Sequence, residues 1–567
     1  MAATPRYDAT RPRQGWRRPG RRGSVNDMFD HVIVGGGTAA GVMAWRLIEA
    51  GRSVCVLEAG PPDRRFYHRL PVGFSQMLFD DRTTWQYASE PNPATAGRAI
   101  HIPQGRTLGG SSSVNGMAYV RGQPADFDRW AELGNRGWSY ADVLPLFRRS
   151  ERYLGEGDDG YRGRAGRVSI NTRLWQDATT DALVEAAMIR GHPFNQDYNG
   201  KEQRGVGYFQ SMIHRGRRVS TATAFLHPAR RRGADVRTGA LAHRLIIAEG
   251  RVTGVDYLSG GTRRRVSARH SVIVAAGPVG SPKLLQLSGI GPGEVLRHAG
   301  APLRHELPGV GENLHDHYGP RLVARLKPGA ASINARVTGL GLAGQTLRWL
   351  IGKPNALSIG AALIHVYGSS EPGSDRPDYS LHFAPLSYHV ESGTAPGSRP
   401  VVKIDDRPGL TCGAWQMRPL SRGHVRIRSL DPHEQPVIDP RYLAEETDRR
   451  VIVAAMKEAR AIFATPPLAQ LVDHNLIPGD DVRSDEEWLD FVRQTGGTGF
   501  HLIGACRMGP RSDPLAVVDE RLRVHGLEGL YVADSSIMPE MVSANTVAAT
   551  MMIGEKASDL IVQDSRG

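Results

Sequence analysis

Asp30-His31-Val32-Ile33-Val34-Gly35-Gly36-Gly37-Thr38-Ala39-Ala40-Gly41 joins an apolar run to a glycine-rich turn and then to residues with helical spacing. Read outward, it predicts a strand, a phosphate-binding turn and a helix. Gly35, Gly37 and Ala40 take the three constrained places of the Gly-x-Gly-x-x-Gly/Ala fingerprint. Small or absent side chains there permit the tight turn, let backbone amides approach a pyrophosphate and let the helix pack on the strand. The helix N-terminus adds partial positive charge for the phosphates. A second apolar run, Val54-Cys55-Val56-Leu57, ends in Glu58, whose carboxylate is placed to accept hydrogen bonds from a ribose. The pattern is that of a dinucleotide site and leaves NAD and FAD open.

A chain of 567 residues is too long for one ordinary core, so two domains or a large discontinuous fold are expected. The fractions of hydrophobic (40%) and charged (23%) residues are those of a globular protein. The net charge of +13 invites a nucleic-acid reading, but seven arginines and two aspartates in residues 1–27 account for +5 of it. Arginine outnumbers lysine sixty-four to seven, a codon bias rather than a binding stripe, and no nucleic-acid module is present. Residues 1–28, rich in Arg, Pro and Gly, read as a disordered basic extension with Met28 as an alternative start. Its arginine pairs hint at an export signal. The dinucleotide strand comes next, in place of a cleavable apolar segment, so a cytoplasmic location is expected. Cys55, Cys412 and Cys506 are odd in number and too scattered for a disulfide framework or a zinc site. Residues 339–368 are moderately apolar, but Arg348, Lys353 and Pro354 break them well short of a spanning length. No transmembrane helix is expected, and peripheral contact of this segment with a membrane stays open.

Residues 105–116 form a small-residue run without periodicity, suited to lying against something flat. Four β-rich runs come later, 234–238, 240–248, 252–257 and 271–276, the last apolar enough for a parallel sheet covered on both faces. Near the C-terminus, Gly529 to Ser536 returns to a strand ending in an acid, and Asn545 to Ile561 reads as an apolar helix. The expected fold class is therefore α/β, α+β overall. A discontinuous Rossmann-like domain is formed by 29–155, 215–316 and 500–567. A second, substrate-binding domain, 156–214 and 317–499, is built on a mostly antiparallel sheet with helices.

Several longer segments resemble the glucose-methanol-choline (GMC) oxidoreductases. Gly105 to Asp128, with Gly109-Gly110-Ser111-Ser112 and Val114-Asn115, looks like the family's first signature, and Gly277 to Gly291 looks like its second. Gly309 to His317, Arg418 to Gly423, His501 to Gly509 and Asn545 to Lys556 match further family segments in order. The resemblance implies FAD rather than NAD, and Val114 at the family's linkage place predicts binding without a covalent link. It implies cofactor contacts at Gly35, Gly37, Thr38, Ala39, Ala40, Glu58, Ala59, Arg106, Leu108, Gly109, Gly110, Ser111, Asn115, Gly116, Met117, Ala118, Leu241, Ala276, Gly277, Asp534, Ser535, Asn545, Thr546 and Val547. His501 matches the family's catalytic histidine, the base that removes the hydroxyl proton of an alcohol. Asn545 matches the second active-site residue, which hydrogen-bonds the alcohol oxygen; its other reading is an N-cap of the last helix.

The departures are local. Leu502 and Ala505 stand where Pro and Thr are common, and Val547 replaces an asparagine near the flavin pyrimidine. Val114 stands where some members carry a histidine bonded to FAD, and valine has no nucleophile. His315-Asp316-His317 is expected to be a structural turn rather than a metal site. Arg418 and Arg422 are expected to be ion-paired. Phe500, Trp415, Met417 and Tyr388 suggest an apolar pocket for an aliphatic or aryl alcohol. The function expected is oxidation of an alcohol CH–OH to aldehyde or ketone, with dioxygen or a quinone as acceptor and a lean toward the quinone. The alternative is a cyanohydrin lyase or a light-driven fatty-acid decarboxylase on the same fold.

Overall fold

The computed structural model describes residues 27–391 and 401–565. The expected disordered extension lies outside the described residues except for its last two. The Asp27 carboxylate accepts from the Arg237 guanidinium, and Met28 opens the first strand, β1 (Met28–Val34), opposite Ser267. The ladder that orders β1 thus begins inside the stretch read as extension.

Val32, Ile33 and Val34 are buried, as a strand covered on both faces requires. Helix α1 (Thr38–Glu49) and strand β2 (Val54–Glu58) complete the first unit. One sheet has the order Asp235–Thr238, β2, β1, Thr262–Val274, Arg251–Ser259, Ala240–Ala248, and Leu530–Val532 adds to the outer side of Thr262–Val274. The long strand Thr262–Val274 serves several partners. Its first half pairs antiparallel with Arg251–Ser259, and its second half runs parallel to β1 and to Leu530–Val532. The strand expected through Ala276 stops at Val274. Beyond it the amides leave the ladder: Ala276 N–H goes to Ser281 Oγ and Gly277 N–H to the Asp534 carboxylate.

Six antiparallel strands make a second sheet, in the order Val472–Ile477, Arg321–Leu326, Gly409–Gln416, Tyr379–Ala384, Ile364–Gly368, Gly205–Tyr208. The amphipathic helix Glu446–Phe463 presents Ile452, Ala455, Met456 and Ala459 to a core that contains Leu381, Phe383 and Leu410. A surface helix, α2 (Gly339–Leu350), comes after the strand Arg321–Leu326. The last helix, α3 (Val547–Asp564), returns to pack on α1. The two helices touch at Gly554, where a Cβ would lie 2.8 Å from the Ala39 carbonyl oxygen. Among the described residues no helix is long and apolar enough to cross a membrane. All three cysteines are buried and free.

Candidate active site

A cavity of about 1180 Å³ runs from the first residues of α1 to His501 and Asn545. Its β1 end is built for an anion. No side chain caps α1 and no acid stands in its first turn, so the terminal amides face the cavity unanswered. At Gly35, φ is +100° and a Cβ would lie 2.3 Å from the Ala275 carbonyl oxygen, which explains why only glycine serves there. Glu58 is buried at the end of β2, accepting from Gly36 N–H (2.8 Å) and Gly60 N–H (2.7 Å). Burial pushes its carboxyl up to about 7 against the pull of those two amides. Asp534 holds the far side of the turn, accepting from Gly277 N–H, Ser281 Oγ and Ser536 N–H. Free helix-terminal amides, an acid at the ribose place and a long trough leading to a histidine fit FAD.

At the other end, two chain segments cross. His315 and Ile503 exchange backbone hydrogen bonds, and Tyr318–Gly319 pairs with Gly497–Thr498. Gly499 sits where a Cβ would lie 2.9 Å from His317 Cβ and 3.0 Å from His501 Nδ1. Phe500 adopts φ +63°, an uncommon conformation held by the bond from its N–H to Thr498 Oγ1. The next amide, of His501, donates to Asp316 Oδ1 at 2.8 Å. Asp316 is buried and also accepts from Tyr442 and Thr498, and burial raises its carboxyl to about 6.

These contacts fix the tautomer of His501. The Met417 carbonyl can only accept, so His317 Nε2, 2.8 Å away, carries a proton. Burial holds His317 at about 4, so its imidazole is neutral and Nδ1 is an acceptor. His501 Nδ1 lies 2.9 Å from that atom and must donate to it. Burial, then the neighbouring His317 and His382, hold His501 well below its ordinary value, so it too is neutral. Its Nε2 is therefore unprotonated and carries the lone pair that can take a proton. The Asn545 amide nitrogen stands 3.0 Å from Nε2, the arrangement in which an N–H meets a lone pair.

The structure places the residues of the sequence reading along the cavity lining, with four exceptions. Ala40 is buried in α1. Leu108 packs under Gly36, and Gly109 has φ +85° in a turn whose N–H donates to the Gly36 carbonyl. The Arg106 guanidinium lies 4.4 Å from the centre of the Trp85 ring, off the cavity. Asn545 is not the N-cap of α3; Thr546 is, which leaves the Asn545 side chain to His501. Met417 does not line the cavity but offers its carbonyl to His317, whereas Phe500, Trp415 and Tyr388 do line it. Among the described residues Arg418 and Arg422 have no carboxylate partner. Their guanidinium groups donate to the carbonyls of Pro377 and of Pro419 and Ser421, and Arg418 also to Ser543 Oγ. No metal cluster occurs among the described residues. The His-Asp-His segment does more than turn the chain, since Asp316 and His317 hold the backbone and ring of His501. The pair of histidines flanking an acid was the available signal, and spacing alone could not say that it faces position 501.

Comparison with known proteins places this geometry. The GMC oxidoreductase family models match residues 29–319 and 419–554. An oxygen-dependent choline dehydrogenase of Brucella ovis is 37% identical over 534 residues, covering 94% of this chain and 95% of that protein. One from Photobacterium profundum is 35% identical, covering 95% and 94%. The crystal structure of pyridoxine 4-oxidase from Mesorbium loti superposes with a TM-score of 0.80 at 30% identity, covering 94% of this chain and 98% of that one. An Aspergillus oryzae RIB40 formate oxidase variant gives 0.87 at 26% identity, covering 96% and 100%. The chain belongs to the GMC oxidoreductase family.

Proposed function

We propose that this flavin-dependent alcohol oxidoreductase uses His501 Nε2 as the base that takes the hydroxyl proton of its substrate, with Asn545 holding the substrate oxygen. The observation that carries the proposal is the one-way hydrogen-bond chain from Met417 through His317 to His501, which leaves Nε2 unprotonated. An alcohol entering between the two side chains donates its O–H to Nε2 and accepts from the Asn545 amide. The proton then rests on Nε2, and the imidazolium keeps its Nδ1–H bond to His317. FAD, when bound along the trough from α1, supplies the acceptor for the hydrogen on the substrate carbon. The residues that would hold it are the α1 amides, Glu58, Ser111, Asn115 and Asp534. Val114, buried on the cavity wall, offers no nucleophile, which supports non-covalent binding. The cyanohydrin lyase and photodecarboxylase readings are not favoured by the relatives. We further assign 29–155, 215–316 and 500–567 to the FAD-binding domain and 156–214 with 317–499 to the substrate-binding domain. Three free buried cysteines agree with a cytoplasmic location.

The cavity favours a neutral or anionic apolar alcohol over a quaternary ammonium one. The carboxylates on its wall, Glu58 and Asp534, sit beside the phosphate turn. The remaining wall carries Trp415, Phe500 and Tyr388, and the Arg321 guanidinium stacks 4.3 Å over the Tyr388 ring with a buried Nη1 that has no partner among the described residues. A cation there opposes a second cation. The second half-reaction is assigned to a quinone-type carrier, and dioxygen, which the names of the relatives favour, is its competitor. Anaerobic flavin reduction across aryl, aliphatic, hydroxy-acid and choline substrates tests the first assignment, and fastest bleaching by choline overturns it. Mixing the reduced enzyme with aerated buffer or with a quinone tests the second, and faster reoxidation by air with stoichiometric peroxide overturns that.

A further inference from the structure

Helix α2 is built inside out. Its buried residue is Gln345, which accepts from Ala356 N–H, while Leu340, Leu347 and Leu350 lie on a solvent-facing stripe at helical spacing. Leu340 is 92% exposed and Leu350 68%. Ile351 extends the stripe, and Phe66, itself exposed, packs edge-on against Trp349 at 5.8 Å. Trp349 Nε1 donates to the Gly216 carbonyl, so the tip of the 213–218 hairpin adjoins the same face. An apolar face of this extent on a folded protein calls for a partner.

The rim says which partner. Arg64, Arg69, Arg215, Arg217, Arg348 and Lys353 are all exposed around it, and among the described residues none of them is in an ion pair. Between Arg336 and Glu371 the sequence has no Asp or Glu. The carboxylate of Asp63 is buried against His227, and that of Asp80 is engaged by Arg65 and Arg82. A second copy docked about a two-fold axis would set these cations against their own images. We infer that the α2 face, with Phe66 and its arginine rim, seats the protein on an anionic lipid bilayer, the leucines entering the acyl boundary and the cations meeting headgroup phosphates. Tyr67 and Leu342 belong both to this face and to the cavity wall, so the seat adjoins the entrance of the active-site cavity.

The test is sedimentation of the FAD-loaded full chain with phosphatidylcholine vesicles, with and without phosphatidylglycerol. The protein is expected to pellet with the phosphatidylglycerol vesicles at low salt, and salt is expected to release it. Leu340→Glu combined with Leu350→Glu should lower that binding at least about tenfold, as loss of the buried apolar area requires. Arg215→Glu combined with Arg217→Glu should abolish the preference for the anionic lipid. Flavin absorbance and melting temperature, unchanged in both variants, verify the fold. The inference is overturned if the native protein ignores both kinds of vesicle, or if the leucine variant binds as well as the native protein. It is equally overturned if the leucine substitutions split a dimer while no vesicle binding exists, which makes a second copy the occupant.

Discussion

Replacing His317 by phenylalanine keeps a ring of similar size and removes the acceptor that His501 Nδ1–H uses. In the resting enzyme this leaves a buried donor without a partner, and the proton relocates to Nε2, where it blocks the base. In the transition state, where His501 carries positive charge, the lost bond is charge-assisted and worth about 1.5–3 kcal/mol. At about 1.4 kcal/mol per tenfold, flavin reduction should slow by roughly 10- to 150-fold. His317 lies off the cavity wall, so FAD retention should not change. The assay is anaerobic stopped-flow bleaching of the flavin at saturating alcohol over a range of pH. His317→Gln should recover much of the rate, because its amide oxygen can accept the same N–H; a merely space-filling role would favour phenylalanine instead. Native-rate reduction by His317→Phe, with an unaltered pH profile, would refute the tautomer chain.

Three further outcomes are expected. His501→Ala should cut flavin reduction by about two to four orders of magnitude with FAD still bound, and Asn545→Ala should cut it less, both read by the same bleaching assay. Acid precipitation should release the yellow colour into the supernatant, since Val114 provides no attachment atom; a coloured pellet would contradict this. FAD binding by the apoprotein should weaken as pH falls through about 7, because Glu58, raised by burial, is a carboxylate above that value and a protonated acid below it. Glu58→Gln should flatten the dependence in a titration of flavin fluorescence quenching.

The parallel sheet was legible because its signals are local: the short spacing of Gly35, Gly37 and Ala40 marks the turn and the apolar strands declare themselves by composition, although the contact that demands glycine at position 35 is with the distant Ala275 carbonyl. The return of Leu530–Val532 and α3 was legible for the same reason. His317 was not, because its role depends on a contact across 184 positions of chain, and nothing in a short motif reports which distant ring it faces. Arg418 and Arg422 were misread because a charged side chain in a motif suggests a carboxylate, whereas burial here supplied carbonyl oxygens. Ala40, Leu108 and Gly109 shape the turn from behind without reaching the cavity, a distinction that side-chain size alone does not reveal.

The crossing of α1 and α3 at Gly554 also sets an order of events in biogenesis. Residues near 40 wait for a partner more than five hundred positions later, and Asn545, Thr546 and Val547 reach the cavity only once that partner docks. On a ribosome the glycine-rich turn emerges early, while α3 is still untranslated. The complete cavity, to which Asn545, Thr546 and Val547 contribute, therefore exists only once the last helix has been made.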